Sequence, residues 1–166
     1  MSNLPEDSKA TFVSNRPATV DDIYAIAPHL RAGDIMEMRE TAPGRDLQEI
    51  LWECVCRSTN PRCITINGKP AALMGIVPSA KPLIAVPWLL GTYDVRKAPL
   101  GFLRTVRLFF TAAHDYWPIL TNVVPTNNVE NIRFIEALGF VVGRASVVLI
   151  NGHAYLPFHR RAPCVQ

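Results

Sequence analysis

The stretch that decides the fold is Asn127-Asn-Val-Glu-Asn-Ile-Arg-Phe-Ile-Glu-Ala-Leu-Gly-Phe140, because it specifies a helix together with both of its ends. Either Asn127 or Asn128 can cap the first turn, and Glu130 has the spacing of a capping box with Asn127. Gly139 supplies the left-handed residue that ends a helix. Between these ends, apolar residues recur at every third position, at Val129, Ile132, Ile135 and Leu138. We therefore predict a helix with one buried stripe that lies against a sheet.

Strand-like segments surround this helix. They cover residues 11–16, 62–66, 71–77, 83–90, 119–124, 140–150 and 153–160. Helical patterns cover residues 19–30, 33–38, 47–57 and 96–115. Asn67-Gly68 and Asn151-Gly152 predict two-residue hairpin turns between neighbouring strands. The chain order is thus one strand, several helices, three strands, a helix, a strand, the helix at 127–140 and two strands.

Two of these segments carry more specific expectations. Pro87 removes a backbone donor in the middle of strand 83–90, which predicts a bulge or a free edge there. In helix 96–115 we expect a core-facing set made of Leu100, Leu103, Val106, Phe109 and Phe110. The basic residues of the same helix would face outward, where they meet either solvent or an acidic partner; they are Arg96, Lys97, Arg104 and Arg107.

Length and composition exclude several classes of protein. A chain of 166 residues is long enough to bury a core as one domain, and a net charge of +3 without a basic stripe predicts no nucleic-acid partner. No stretch approaches the roughly 20 apolar residues of a membrane span, and no basic region followed by an apolar run begins the chain. The four cysteines lack pairing spacing, so we expect reduced thiols. His153 and His159 have no third ligand at a suitable spacing, so we expect no metal.

The helix at 127–140 resembles the last motif of the GCN5-related N-acetyltransferase (GNAT) fold, Asn-x-x-Ala-x-x-Leu-Tyr-x-x-x-Gly-Phe. Asn128, Phe134, Gly139 and Phe140 match it, and the order of elements is similar to that fold over residues 11–161. The resemblance implies an α/β (α+β) protein with a mixed, mostly antiparallel central sheet of about six to seven strands flanked by helices. One domain over 11–161 would follow a flexible N-terminus, 1–10, and precede a C-terminal tail, 162–166. Ile135 stands in the slot of the tyrosine that protonates the coenzyme A thiolate.

The same resemblance implies where coenzyme A would bind. The family cradles the pyrophosphate on consecutive backbone N–H groups, and the only matching frame here is Arg96-Lys-Ala-Pro-Leu-Gly101. Pro99 replaces its first glycine and lacks an N–H, although proline is also a favoured residue in the first turn of a helix. No cofactor is therefore expected unless acetyl-CoA binds despite Pro99. The residues that would then hold it are Leu89, Leu90, Val95, Arg96, Gly101 and Asn128.

The catalytic residues are less well specified. Asp94 follows the strand at 83–90, where a water-relaying acid can sit, but an aspartate in such a loop is also a common turn or capping residue. With Ile135 in the tyrosine slot, the missing acid would have to be Tyr93, Tyr116 or Tyr155. His114 ends the long helix, where a cation beside the last carbonyls is favourable, so we expect a structural role for it.

A narrower resemblance links the chain to the GNAT-like internal virion proteins of short-tailed bacteriophages. It rests on three segments: 121–139, Val86-Pro-Trp-Leu-Leu-Gly-Thr92 and Leu156-Pro-Phe-His-Arg160. It implies a degenerate acetyltransferase fold that is not an enzyme, acts through contacts with other virion or assembly proteins, and is located in the virion and in the host cytoplasm during assembly. The alternative is an acetyl-CoA-dependent N-acetyltransferase. An open gap between the fourth and fifth strands would favour the enzyme, and a gap filled by side chains would favour the virion protein.

Overall fold

The computed structural model describes residues 11–163; the predicted N-terminal segment 1–10 and residues 164–166 of the predicted tail lie outside the described part. The helices are α1 (Val20–Ile26), α2 (Ala32–Thr41), α3 (Leu47–Arg57), α4 (Pro99–Ala113) and α5 (Val129–Ala137). The strands are β1 (Val13–Pro17), β2 (Thr59–Ile66), β3 (Lys69–Pro78), β4 (Ile84–Gly91), β5 (Ile119–Pro125), β6 (Val141–Val142), β7 (Val148–Ile150) and β8 (His153–Arg161). Two short 3₁₀ turns lie at Ala27–His29 and Tyr93–Lys97.

The strands form one sheet in the order β1-β2-β3-β4-β5-β8-β6, with β7 also paired to β8. Neighbouring strands are antiparallel except β4 and β5, which are parallel. The predicted mixed, mostly antiparallel sheet is confirmed. The described residues form eight strands, more than predicted, because the segment 140–150 is not continuous: Gly143 accepts a hydrogen bond from the Ser146 N–H at 3.0 Å, and this turn separates β6 from β7.

Helices cover both faces of the sheet. Successive strand residues point to opposite sides, and apolar strand residues on each side are buried beneath a helical layer. On one face, α1, α2 and α3 pack against β2 and β3 through a core that includes Ile26, Leu51 and Leu73. On the other face, α4 and α5 pack through a second core that includes Val106 and Ile132. The sheet thus separates two helical layers, and any opening through it connects them.

The sequence predicted that the long helix begins at Arg96. In the structure α4 begins at Pro99, because the residues before Pro99 form the 3₁₀ turn. The core-facing set also differs from the prediction at one position. Phe102 is buried because it lies one turn before Val106 on the same face of the helix, whereas Leu100 lies on the opposite side and is 81% exposed. The rest of the predicted apolar set is confirmed, since Val106 and Phe110 are buried and Leu103 and Phe109 pack against the core partly buried.

Helix α5 has the predicted ends but a different cap. Asn128 is the N-cap, and its Oδ1 accepts a hydrogen bond from the Asn131 N–H at 3.1 Å, so the predicted capping box between Asn127 and Glu130 is wrong. Val129, predicted to be buried, is 54% exposed because it begins the first turn, whereas Ile132 and Leu138 are buried as expected. Gly139 has a φ of 89°, which confirms the left-handed end of the helix.

Both predicted hairpin turns are confirmed by their backbone angles. Asn67 and Gly68 have φ values of 50° and 78°, and Asn151 and Gly152 have values of 49° and 83°. Positive φ at both central residues is the geometry of a type I′ turn, which matches the twist of the flanking strands.

Within residues 11–163, no helix is both long enough and apolar enough to cross a bilayer.

Candidate functional site

The parallel strands β4 and β5 are paired only where they begin. Ile84 pairs with Ile119 and Ala85 with Leu120, and the described residues contain no later pair between these strands. Beyond this last pair, β4 continues for six residues, to Gly91, and β5 continues for five residues, to Pro125. They therefore diverge toward their carboxyl ends and leave a cleft in the sheet.

The side chain of Asn122 marks the point of divergence. Its Nδ2 donates to the Pro87 carbonyl oxygen at 2.9 Å, and its Oδ1 accepts from the Val123 N–H at 2.8 Å. The Asn122 side-chain amide thus takes the place of the next backbone hydrogen bond between the two strands. It pairs the Pro87 carbonyl and the Val123 N–H, which the separation of the strands would otherwise leave without partners. The register between β3 and β4 shows no shift at Pro87, so the predicted bulge is wrong and the predicted free edge is correct.

The backbone of Leu89 faces the cleft. Alternate residues of a strand direct their N–H and C=O groups to the same side. Pro87 directs its carbonyl toward β5, and Gly91 donates its N–H to Asp34 Oδ2 at 3.0 Å and accepts from the Arg31 N–H at 2.9 Å, both away from β3. Leu89 lies between them, so its N–H and C=O point into the gap between the strands.

The cleft encloses about 200 Å³, and residues from both faces of the sheet line it. On the first face the lining comes from α2 and α3 and contains Glu37, Met38, Thr41, Ile50 and Cys54. On the second face it is almost wholly apolar and contains Phe110, Phe134, Ile135, Leu138, Phe140 and Phe158. Pro87 to Leu90 and Asn122 to Val124 form the walls between the two faces. The cleft therefore has a half that carries ionisable groups and an apolar half.

Glu37 is the ionisable group of the first half whose pKa is most changed. Burial raises its pKa from 4.5 to about 7, and the neighbouring carboxylates of Asp34 and Glu40 add to the rise. Arg31 opposes it, but its guanidinium is already bound to Asp34, with Nε at 2.9 Å from Oδ2. A carboxyl with a pKa near neutrality, at the edge of a cleft, is suited to accept a proton.

The neighbouring Glu40 ties α2 to the last hairpin. Tyr155 donates its hydroxyl to Glu40 Oε2 at 2.7 Å, and Nδ1 of His153 lies 3.3 Å from Oε1. Burial and the hydrogen bond to Glu40 raise the pKa of Tyr155 well above its usual range. Tyr155 therefore stays protonated and remains a hydrogen-bond donor to Glu40. Because Tyr155 pairs with Pro125 at the end of β5, this bond holds the acidic face of α2, made of Asp34, Glu37 and Glu40, close to the carboxyl end of β5.

The start of α4 lies beyond the end of β4. Its N-cap is Ala98, and no side chain among residues 11–163 caps it. Leu100 and Gly101 lie in the first turn, where the N–H groups have no partner within a helix, whereas Pro99 has no N–H. A Cβ on Gly101 would lie 2.8 Å from Val13 Cγ2, so Gly101 is also needed for the packing of α4 on β1.

The structure places the sequence-predicted residues in different settings. Leu89 and Leu90 line the cleft, but Val95 is buried in the core, 6% exposed. Arg96 Nη2 contacts both carboxylate oxygens of Glu130, at 3.0 and 2.9 Å, and its guanidinium lies 4.8 Å from the Tyr93 ring. Gly101 packs against Val13 in the first turn of α4, and Asn128 caps the start of α5; neither residue lines the cleft.

The two predicted catalytic candidates do not line the cleft. Asp94 Oδ1 lies 2.6 Å from Lys97 Nζ, and the Tyr93 hydroxyl accepts the Ala32 N–H at 3.2 Å. The alternative acids do not line the cleft either: Tyr116 is 77% exposed, and Tyr155 donates its hydroxyl to Glu40. The structure thus does not bring Asp94 or Tyr93 into the lining of the cleft, and a catalytic role for either of them stays a prediction.

Sequence reasoning missed Glu37 and Asn122. A signal for Glu37 was present, because acids recur at Asp34, Glu37 and Glu40 with the spacing of one helix face. Asn122 gave no such signal, since its role depends on a partner strand distant in sequence.

Cys54 also lines the cleft, but burial raises its pKa to about 11, so its thiol stays protonated and is a poor nucleophile. Residues 11–163 contain no group of three potential metal ligands.

Solved acetyltransferases have this fold. Ard1 from Thermoplasma volcanium has a TM-score of 0.68 at 14% identity, over 91% of this chain and 98% of that chain. AAC(6')-Ib in complex with ribostamycin and coenzyme A has a TM-score of 0.66 at 17% identity, over 90% of this chain and 93% of that chain. The ribosomal-protein-S18-alanine N-acetyltransferase of Escherichia coli has a TM-score of 0.59 at 16% identity, over 94% of this chain and 96% of that chain.

These similarities show that the chain has the GNAT acetyltransferase fold, as the sequence predicted. They do not support the narrower likeness to phage internal virion proteins. Scans against protein-family models and against curated proteins find no match.

Proposed function

We propose that this protein is an acetyl-CoA-dependent N-acetyltransferase. The observation that carries the proposal is the cleft between β4 and β5, which stays open and has the backbone of Leu89 on its wall. A protein that used the fold only as a building block would have no need to keep this gap open. Glu37, with a pKa of about 7, adds a proton acceptor at the edge of the same cleft.

The residues around the cleft fit coenzyme A, with two features that weaken the fit. The pantetheine arm would lie between β4 and β5, and the pyrophosphate would meet the N–H groups of Leu100 and Gly101 at the start of α4. Pro99 withholds one N–H, and Arg96 is already paired with Glu130. We therefore expect binding that is weaker than a complete cradle would give. When bound, acetyl-CoA supplies a thioester whose acetyl group an amine can displace.

The chain's own groups would assist this displacement in two ways. The Leu89 N–H would donate to the thioester carbonyl oxygen and stabilise the negative charge that develops there. Glu37, ionised in about half of the molecules at neutral pH, would take the proton that the amine loses. The nitrogen–carbon bond forms, the carbon–sulfur bond breaks, and coenzyme A leaves as a thiolate.

Ile135 lines the cleft and has no proton to give to that thiolate. Thiols of this kind have pKa values near 8.5, so the thiolate is a tolerable leaving group at neutral pH and can take its proton from water. The absence of a tyrosine therefore predicts a slow enzyme and not an inactive one. The proposed acceptor is a primary amine, since the half of the cleft that would receive it carries Glu37 and Glu40 nearby.

The virion role predicted from the sequence is the second candidate. Contacts with assembly proteins and a location in the virion and host cytoplasm stay predictions, and no feature of the described residues favours them over catalysis. Its distinguishing expectation was a gap filled by side chains, whereas the cleft encloses about 200 Å³.

Calorimetric titration with acetyl-CoA tests the proposal. We expect a dissociation constant below about 1 mM, or roughly −4 kcal/mol. Asn131→Trp places an indole in the cleft and should weaken binding at least tenfold, whereas Leu108→Trp, on an exposed position of α4, should not change it.

Acetyl transfer is then followed as thiol release with two amine probes, a peptide that begins with alanine and ribostamycin. These probes are chosen because proteins of the same fold act on ribosomal-protein alanine or bind ribostamycin. If the wild-type protein gives no heat with acetyl-CoA at millimolar concentration, the proposal is wrong and the search moves to protein partners.

A further inference from the structure

Six apolar side chains line the apolar half of the cleft. They come from α4, from α5 and the residues that follow it, and from β8, and they are Phe110, Phe134, Ile135, Leu138, Phe140 and Phe158. An acetyl group offers a single methyl to such a surface. Apolar cavities of roughly 150 Å³ hold a molecule as large as benzene, and the whole cleft encloses about 200 Å³.

The aromatic lining is held in a fixed arrangement. The rings of Phe110 and Phe140 meet edge to face with centroids 5.8 Å apart, and those of Phe140 and Phe158 do so at 5.2 Å. All three side chains are at most 7% exposed, so neighbouring residues on every side hold the rings in place. A bound hydrocarbon chain would therefore meet a preformed surface and would not have to order it.

The position of Leu89 connects this surface to the proposed chemistry. Leu89 lines the same cavity, and its backbone points into the gap between β4 and β5. A thioester carbonyl that accepts its N–H would lie inside the cavity, with the acyl group among apolar neighbours. The ionisable groups lie on the opposite face of the sheet, so the amine and the hydrocarbon chain would not compete for the same space.

We propose that the apolar half of the cleft is a binding site for the hydrocarbon chain of an acyl group longer than acetyl, of about four to six carbons. This proposal rests on the proposed function, because it assumes that a coenzyme A thioester enters the cleft. It makes the protein an acyltransferase that prefers thioesters whose acyl chain has about four to six carbons, and the same bonds form and break as in acetyl transfer.

Calorimetric titration with acetyl-CoA, butyryl-CoA and hexanoyl-CoA tests the preference. Each methylene buried in an apolar site tightens binding by about fourfold, so we expect hexanoyl-CoA to bind at least about tenfold more tightly than acetyl-CoA. Equal affinities for the three thioesters would overturn this inference and leave the proposed acetyltransferase intact. If none of them binds, both proposals are wrong.

A pair of matched variants tests where the hydrocarbon chain of the thioester binds. Ile135→Phe adds a ring to the apolar half and should remove most of the preference for hexanoyl-CoA over acetyl-CoA. Leu108→Phe adds the same ring at a side chain that is 62% exposed on α4, and should keep the preference. A preference that survives Ile135→Phe unchanged would place the hydrocarbon chain elsewhere and overturn the inference. The wild-type series decides the question by itself if Ile135→Phe does not fold.

Discussion

Replacement of Glu37 by glutamine tests the electrostatics of the cleft directly. In the folded protein, burial and the carboxylates of Asp34 and Glu40 raise the pKa of Glu37 from 4.5 to about 7. The folded state therefore holds this proton more tightly than the unfolded chain does. Glutamine has nearly the same shape as the protonated carboxyl but does not titrate, so Glu37→Gln removes the pH dependence and leaves the packing in place.

The sign of the effect follows from the raised pKa. Well below pH 4.5 Glu37 is protonated in both the folded and the unfolded protein, so it does not lower the free energy of unfolding. As the pH rises from 4.5 through about 7, the unfolded chain loses this proton more readily than the folded protein does, and the free energy of unfolding falls. A pKa rise of this size corresponds to at most about 3 kcal/mol above pH 7, and partial access of water to the side chain reduces it to about 1–3 kcal/mol. Glu37→Gln should therefore match the wild type at pH 4 and exceed its stability by that amount at pH 8.5.

Urea unfolding of both proteins between pH 4 and pH 8.5 measures the difference. Glu49→Gln, an exposed position on α3, is the matched control and should change little at any pH. Parallel stability curves for wild type and Glu37→Gln would refute the assignment of a raised pKa. If the proposed chemistry holds, acyl transfer by the wild type should also rise with pH through about 7, and Glu37→Gln should lose this rise while still binding the thioester.

Two further predictions concern the walls of the cleft. Asn122→Ala leaves the Pro87 carbonyl and the Val123 N–H unpaired, so we expect a loss of about 1–3 kcal/mol in the free energy of unfolding, measured in urea; an unchanged value would mean that water replaces the amide. Gly101→Ala places a Cβ 2.8 Å from Val13 Cγ2 and should destabilise the protein by about 1–3 kcal/mol. Val13→Ala should recover much of that loss in a double-mutant cycle, and purely additive effects would show that the two residues do not clash.

Features that depend on neighbours in sequence were predicted well. The helix at 47–57 and the two Asn-Gly turns follow from caps and positive φ values, which a few consecutive residues determine. The long helix shows the limit of this reasoning. Its start was predicted at Arg96, but the residues before Pro99 form a 3₁₀ turn. Apolar residues occur on more than one side of this helix, so the sequence did not show that Phe102 and not Leu100 faces the core.

By itself, the sequence determined the order of elements, the hairpins, the ends of α5 and hence the fold, because these depend on local backbone preferences and on the period of apolar residues. The tertiary structure alone decided the site. The gap between β4 and β5 depends on how Asn122 meets Pro87, 35 residues away, and the acidic face of α2 is fixed by Tyr155, 115 residues from Glu40. The pKa of Glu37 follows from burial that such distant contacts create, so no pattern of neighbouring residues could have specified it.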